Sequence, residues 1–444
     1  MLASVVAVGP GLSRSKVSRR PANRSRPTGV TTIVDILGIL PRAVAAAALA
    51  AALLAAQAGP ARTGPAAASA RRPDIPSTAL AALALTSPRT GYGMFVVASG
   101  PHCRDVVGRT TDGGAHFTRP VNVLSRPCAS GQPWQLAADS QGDVYLYGPG
   151  LLASHDGGRS WSRVSEPGTV AALAPAGRSA WLLRQNCTAG RTSPPVHCRV
   201  RLLLSADGGR SWRPSAAQPV TAAFPMASTR YAEAYQGQDW LVRTGRLTGY
   251  VLLPPPAGTA GPAARAPLFY TADGGRSWRR SSIPCGRPTS SVTMTAVPGS
   301  TALAAVCAGL PGGAAGPHQV KTVATSADGG RTWTTHRPCP LDINKGLNCQ
   351  LEWGYIGDIA APRAGTIYMT GTAIALEVST DGGEHWRFVR PEPGGSGADT
   401  TQVRFFSPAD GFLVGLDLHR DQTPAIWHTA DGGVTWRETI PVLG

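Results

Sequence analysis

Lysine is almost missing from this 444-residue chain: of its 42 basic residues, three are lysines (Lys16, Lys321 and Lys345). The positive charge is therefore arginine, scattered singly, with no basic helix and no basic run interleaved with aromatics. A nucleic-acid surface needs such a cluster, so the formal charge of +16 does not point to one. Seven basic residues and one acid, Asp35, lie before residue 59, which leaves 35 basic against 25 acidic residues, or +10, for the remainder. An arginine-biased genome accounts for that surplus. Cysteine pairs spaced as CxxC are missing too, as is any histidine at zinc-finger spacing from a cysteine, which excludes the common zinc sites. Charged residues make up only 15 % of the chain, helical periodicity is absent beyond residue 80, and Gly (53) and Pro (39) are abundant. That balance excludes a helical bundle and fits a turn-rich all-β protein. The length suffices for two or three domains or one large repeat domain.

No apolar run reaches the ~20 residues of a spanning helix. The run AVAAAALAAALLAA (residues 43–56) follows Arg42 and a basic stretch, RSKVSRRPANRSR (14–26), and ends in Ala56-Gln57-Ala58. A basic n-region, a short apolar core and a small-x-small terminus make residues 1–58 a secretory signal peptide. An uncleaved anchor is the alternative and would be the protein's one attachment to a membrane. Residues 59–77 have linker composition and are expected to be disordered, leaving 78–444 as the folded domain. Eight cysteines all lie beyond residue 100: Cys103, Cys128, Cys187, Cys198, Cys285, Cys307, Cys339 and Cys349. In an oxidising compartment an even set implies four disulfides, whose connectivity is open from the sequence alone.

One eight-residue pattern recurs along the rest of the chain. It reads SHDGGRSW from residue 154, SADGGRSW from 205, TADGGRSW from 271, SADGGRTW from 326, STDGGEHW from 379 and TADGGVTW from 429. A seventh copy, TTDGGAHF, begins at 110. The aspartates Asp112, Asp156, Asp207, Asp273, Asp328, Asp381 and Asp431 are 44, 51, 66, 55, 53 and 50 residues apart. Periods of this size mean a solenoid, a propeller or an array. Around the sixth copy the chain reads strand (YIGDIAA), turn, strand (TIYMTG), strand (IALEVS), DGG turn, strand (HWRFVR), and the first and seventh units follow the same plan. Four short strands per unit and seven units predict a seven-bladed β-propeller of four antiparallel strands per blade, with the motif in the turn between strands three and four.

The pattern S/T-x-D-G-G-x-x-W resembles the Asp-box, or BNR repeat, of sialidases and of many non-sialidase propellers. Together with S-P-x-x-G-aromatic, present as SPRTGY (87–92) and SPADGF (407–412), it looks like the photosystem II assembly-factor-like propellers, whose relatives extend beyond photosynthesis. The resemblance covers about residues 80 to 440 and implies the fold; enzymes and non-enzymes share it. In the turn itself, glycine supplies positive φ and the aspartate accepts backbone N–H groups. The preceding Ser or Thr can do likewise, and the aromatic five residues on packs into a seam. Trp161, Trp212, Trp278, Trp333, Trp386 and Trp436 take that position, six of the chain's eleven tryptophans. Seven equivalent turns around a ring cannot converge on one substrate, so the motif is structural. A calcium ion in each turn would lack its oxygen ligands, and neither metal nor cofactor is expected.

A propeller alternates its loops between two faces. The DGG turns then share a face with the strand 1–2 loops, while strand 2–3 loops and blade connections take the other. To that other face belong the irregular segments 184–200, 254–267, 308–319, 122–135, 336–353 and 390–401, and with them all eight cysteines. Nearest-neighbour pairing, 103–128, 187–198, 285–307 and 339–349, would brace these loops. Binding residues are expected there: Glu352, Trp353 and Tyr355 with Asp358 beside the 339–349 loop, and Tyr231, Glu233, Tyr235 and Trp240 in the insertion of the longest unit. Arg104, Arg126, Arg199, Arg287 and Lys345 would add positive charge. Sialidase chemistry needs three arginines, a Tyr–Glu pair and an acid. The FRIP-type motif of that family is missing, since FVRP at 388 has the wrong order and follows an Asp-box. Sialidases also close their ring with one blade fewer than counted here. No Ser-His-Asp arrangement or phosphate-cradling loop is visible. The expectation is a secreted, monomeric, non-catalytic propeller for a protein or cell-surface glycan ligand, with an exo-sialidase-like glycoside hydrolase as the alternative.

Overall fold

The second strands of the repeat units are apolar almost without interruption, as in VYLY (Val144–Tyr147) and LAAVCAG (Leu303–Gly309), and every residue of both is buried. A strand covered on one face would alternate; continuous burial means that both faces are covered. A ring of radially stacked sheets does this, and the computed structural model has that architecture. It describes residues 77–444 apart from segments 129–133, 166–167, 189–195, 221–223, 227–239, 254–264, 287–288, 290, 310–319, 337–355, 372–373, 390–397 and 418–422. The protein is a seven-bladed β-propeller. Its blades span residues 77–127, 135–163, 169–214, 241–284, 291–336, 356–388 and 398–439. Each is four sequential antiparallel strands in simple up-and-down order. First strands of neighbouring blades adjoin around the axis. Most fourth strands are short, Ser162–Arg163 and Arg387–Phe388 being two residues each, whereas that of blade 1, His116–Pro127, runs to twelve.

The core is seven seams, one between each pair of blades. Blades 1 and 2 share a cluster of Tyr92, Met94 and Val107 with Leu136, Val144 and Leu146. Blades 3 and 4 join through Trp181, Leu183 and Val200 against Leu241, Val251 and Phe269. The motif aromatic of each blade packs in the seam it shares with the preceding blade: Trp161, Trp212, Trp278, Trp333, Trp386 and Trp436 in six of them. Phe117, fully buried against Phe412 and Ile426, fills the seventh. An aromatic buries a large area per residue, so one per seam seals the rim where the outer strands are too short to do so.

Ring closure was not legible in the repeat. The C-terminal strand Val442–Leu443 crosses to blade 1 and pairs in parallel with His116 and Phe117, adding a fifth strand outside His116–Pro127. On the same seam His428 Nε2 lies 2.7 Å from the Gly113 carbonyl, across 315 residues of sequence. Segment 184–200, expected to be an irregular loop, is mostly hairpin: Ser179–Thr188 and Val196–Ser205 pair in continuous register, with Cys187 directly opposite Cys198. The disulfide and the cross-strand pairing hold one ladder well beyond the core. The insertion after blade 3 sends Phe224–Met226 back to pair with the same strand at Val196–Cys198.

Candidate functional site

The DGG turn closes into one hydrogen-bond pattern in all seven blades. In blade 3, Ser205 Oγ donates to Asp207 Oδ1 at 2.7 Å and accepts the Gly209 N–H at 2.7 Å. The Ser211 N–H donates to Oδ1 at 3.0 Å and the Ser211 hydroxyl to Oδ2 at 2.6 Å. The residue four beyond the aspartate is thus a further member of the motif, filled by Ser160, Ser277, Thr332 and Thr435. His116 and His385 take that place in blades 1 and 6, each with its Nδ1 2.7 Å from the aspartate. These bonds hold the carboxyls well below the usual carboxylate range. The Thr435 hydroxyl and N–H bring Asp431 to about 2. At Asp112 slight burial works the other way, yet the His116 bonds and the Thr110 hydroxyl bring it to about 2 as well. Asp381, Glu384 and His385 stand close enough to share a cation, but the oxygens of Asp381 are already taken by Ser379 and by the N–H groups and imidazole of its own turn.

The first glycine of each turn donates its N–H to the strand 1–2 loop of its own blade. The acceptors are the carbonyls of Arg89, Gly142, Arg178, Leu247, Thr301, Gly365 and Ala409. The turns and those loops therefore share one face. The turn carbonyls also tie neighbouring blades: Tyr145 donates to Gly208 O and Tyr368 to Gly432 O, both at 2.6 Å. Ser215 donates to Gly275 O at 2.5 Å, and Ser281 reaches Gly330 O. The motif is the seam fastener of the ring, and its polar groups are spent on that.

The three disulfides among the described residues all sit at the opposite end. Cys103–Cys128 joins the start of the third strand of blade 1 to the end of its fourth, Cα to Cα 4.9 Å. Cys187–Cys198 crosses the strand 2–3 hairpin of blade 3 at 4.0 Å. Cys285–Cys307 staples blade 4 to blade 5 at 5.5 Å. These are three of the four expected pairs; Cys339 and Cys349 lie outside the described residues.

Of the expected binding residues, Glu352, Trp353, Tyr355, Tyr231, Glu233 and Tyr235 fall outside the described residues, as do Arg287 and Lys345. Three others need correction. Trp240 is 3 % exposed and belongs to the blade 3–4 core with Trp181 and Val251; the end of the insertion re-enters the seam, where a large apolar ring is best buried. Arg126 is not free for a ligand, because its Nε and Nη2 donate to both oxygens of buried Asp105 at 2.8 and 3.0 Å. Asp358 is buried as well. It accepts the Ile359 and Val403 N–H groups at 2.9 and 3.1 Å and pairs with Arg404, tying the first strands of blades 6 and 7. Arg104 and Arg199 are exposed on the disulfide-bearing end, as expected.

The DGG face is itself concave. Two clefts, of about 610 and about 700 Å³, open on the DGG face. One lies between blades 1 and 2 and contains Arg109, Arg119 and Arg159; the other lies between blades 7 and 1 around His428 and Arg437. A signal was present in RP at 119–120, an arginine before proline on an outer strand, but its conformation is a property of the folded sheet.

No family model matches the sequence, and no curated protein matches it. Among solved structures the chain is similar to YCF48 bound to D1 peptide, at 16 % identity over 80 % of this chain and 94 % of that one, with a TM-score of 0.45. It is similar to YCF48 from Cyanidioschyzon merolae, at 15 % identity over 78 % and 95 %, with a TM-score of 0.42. A GH74 xyloglucanase from Xanthomonas campestris matches at 13 % identity over 81 % and 72 %, with a TM-score of 0.36. Likeness at this level carries nothing about activity or ligand.

Proposed function

We propose that this chain is an exported, non-catalytic Asp-box propeller that binds a protein or glycan ligand through the face opposite the DGG turns. The observation that supports it is the one-sided placement of Cys103–Cys128, Cys187–Cys198 and Cys285–Cys307. Disulfides persist in oxidising compartments, and here they brace the end from which the longest connections leave. Braced loops on a rigid scaffold are where ligand contacts collect. On the other face the Ser or Thr, aspartate and glycine groups of the DGG turns are committed to turn and seam bonds. The binding aromatics in this reading are Trp353 and Tyr355 with Glu352, and Tyr231 with Tyr235; Trp240 supports them from the core.

The test is a pull-down from the envelope fraction of the source cells, run beside a panel of fluorogenic glycosides. Wild type should retain a protein or glycan and turn over no glycoside. Trp353→Ala with Tyr355→Ala, or Tyr231→Ala with Tyr235→Ala, should lose the retained species while melting as wild type does. Glycoside turnover that disappears with Glu352→Gln would overturn the non-catalytic reading. Retention unchanged in both aromatic double variants would overturn the choice of face.

A further inference from the structure

The cleft between blades 1 and 2 differs from seams 2–3 and 6–7 in how it uses its second-strand tyrosine. In seams 2–3 and 6–7 a second-strand tyrosine spends its hydroxyl on a glycine carbonyl of the next DGG turn. Tyr92 stands in the corresponding place, its ring against Gly158, but its hydroxyl makes no hydrogen bond among the described residues. Burial pushes that hydroxyl up, so it remains a protonated donor. Across the cleft Asp139 is 7 % exposed. Its Oδ1 accepts the Gln141 and Asp143 N–H groups at 2.9 and 3.0 Å, while buried Oδ2 has no partner among the described residues. A buried carboxylate oxygen left unpaired is costly unless something fills the site.

Three arginines line the same cleft, Arg109, Arg119 and Arg159, all exposed and none in an ion pair or side-chain hydrogen bond among the described residues. Arg210 and Arg331, at the turn position equivalent to Arg159, instead fold back on the carbonyls of Asp207 and Asp328. Arg119 has a φ of 53°, the one positive value among the described non-glycine residues. It sits in a bulge: Val107 pairs with Val121 and Arg109 with Thr118, leaving Arg119 and Pro120 opposite Gly108 alone. Bulges re-aim side chains, and non-glycine residues held at positive φ concentrate at functional sites. Two of the acids nearby are already engaged. Asp156 is occupied by its own turn, and Asp143 lies 2.8 Å from His155 Nδ1.

We infer that this cleft binds an acidic sugar unit, with Arg109, Arg119 and Arg159 holding its anionic group and Asp139 Oδ2 and the Tyr92 hydroxyl meeting ring hydroxyls. Guanidiniums suit planar or tetrahedral oxyanions. An unpaired acceptor and an unpaired donor lining one cleft are the complement of a hydroxyl-bearing ring rather than of a bare ion. The site is on the DGG face and independent of the disulfide-braced one.

Calorimetric titration of the full chain with a linear tetragalacturonate tests it, against neutral maltotetraose and inorganic phosphate. Tetragalacturonate should bind, and bind more weakly as salt is raised. Arg119→Gly should weaken it roughly tenfold or more, the loss of one charge-assisted contact. That variant should not melt lower, because glycine adopts positive φ without strain. If it does melt lower, Arg159→Gln, at an exposed turn tip, decides in its place. Equal affinity of wild type and variant, or equal affinity for maltotetraose, overturns the proposal. Phosphate binding as tightly as the oligomer reduces the site to one for an adventitious ion only and overturns the sugar assignment.

Discussion

The Tyr145 hydroxyl donates to the Gly208 carbonyl at 2.6 Å, across the seam between blades 2 and 3. The Tyr145 ring lies so close to the neighbouring glycine that a Cβ on Gly209, at φ +80°, would fall 2.6 Å from its Cε1. Tyrosine and diglycine are thus one fitted contact. Tyr145→Phe leaves a buried carbonyl unpaired and is expected to cost about 1–2 kcal/mol. Gly209→Ala adds both a clash and a disfavoured φ, and should cost more, about 2–4 kcal/mol. Urea unfolding of both variants checks the order.

The aspartates of the DGG turns set an acid limit. Their folded-state carboxyls lie below the ordinary value, at about 2 for Asp112 and Asp431. A depressed acid contributes stability above its unfolded value and loses it as pH falls toward the folded one. The melting temperature should therefore not fall between neutral pH and about 4, then should fall steeply toward about 2. Circular dichroism melts across that range test this. A steep loss already between pH 6 and 5 would assign acid sensitivity to other groups.

Glu377 predicts a slope of opposite sign. It is fully buried, neither carboxylate oxygen is hydrogen-bonded among the described residues, and burial pushes its carboxyl up to about 8 against the opposing charge of Lys321. A raised acid binds its proton more tightly in the folded state, so stability is lost as pH rises from the unfolded value toward the folded one. The melting difference between Glu377→Met and wild type should move in the variant's favour from pH 5 to 8 and then level off. A margin independent of pH would show that the carboxyl ionises normally.

The Cys285–Cys307 bond closes a separation of 22 residues between two blades. Chain-entropy reasoning puts its worth at about 3 kcal/mol. Replacing both cysteines with alanine should lower stability by about that amount. It should also open the blade 4–5 seam, where both residues belong to one core cluster, to hydrogen exchange ahead of the other seams. Uniform exchange around the ring would contradict a local role.

Several features were legible because their causes are local. Asp207 with its two glycines and Ser205 and Ser211 makes a turn from residues within six positions of one another, so seven copies announce seven hairpins in phase. Trp240 misled for a complementary reason: nothing adjacent to it reveals that Trp181 and Val251, from two different blades, close over it. Arg126 looked like a free charge because Asp105 is 21 residues away.

The sequence by itself determined the number of blades, the strand order and the face that carries the turns. Each of these follows from a period and a turn chemistry that the chain repeats. Tertiary structure alone decided how the ring closes, through His428 and Gly113 and through Val442–Leu443 beside Phe117. It alone decided which arginines stay unpaired, since that depends on what lies opposite after the sheets stack. Arg119 shows the division most plainly. Its sequence neighbourhood is an ordinary outer strand, and only the bulge against Gly108 turns it toward Arg109 and Arg159 in one cleft.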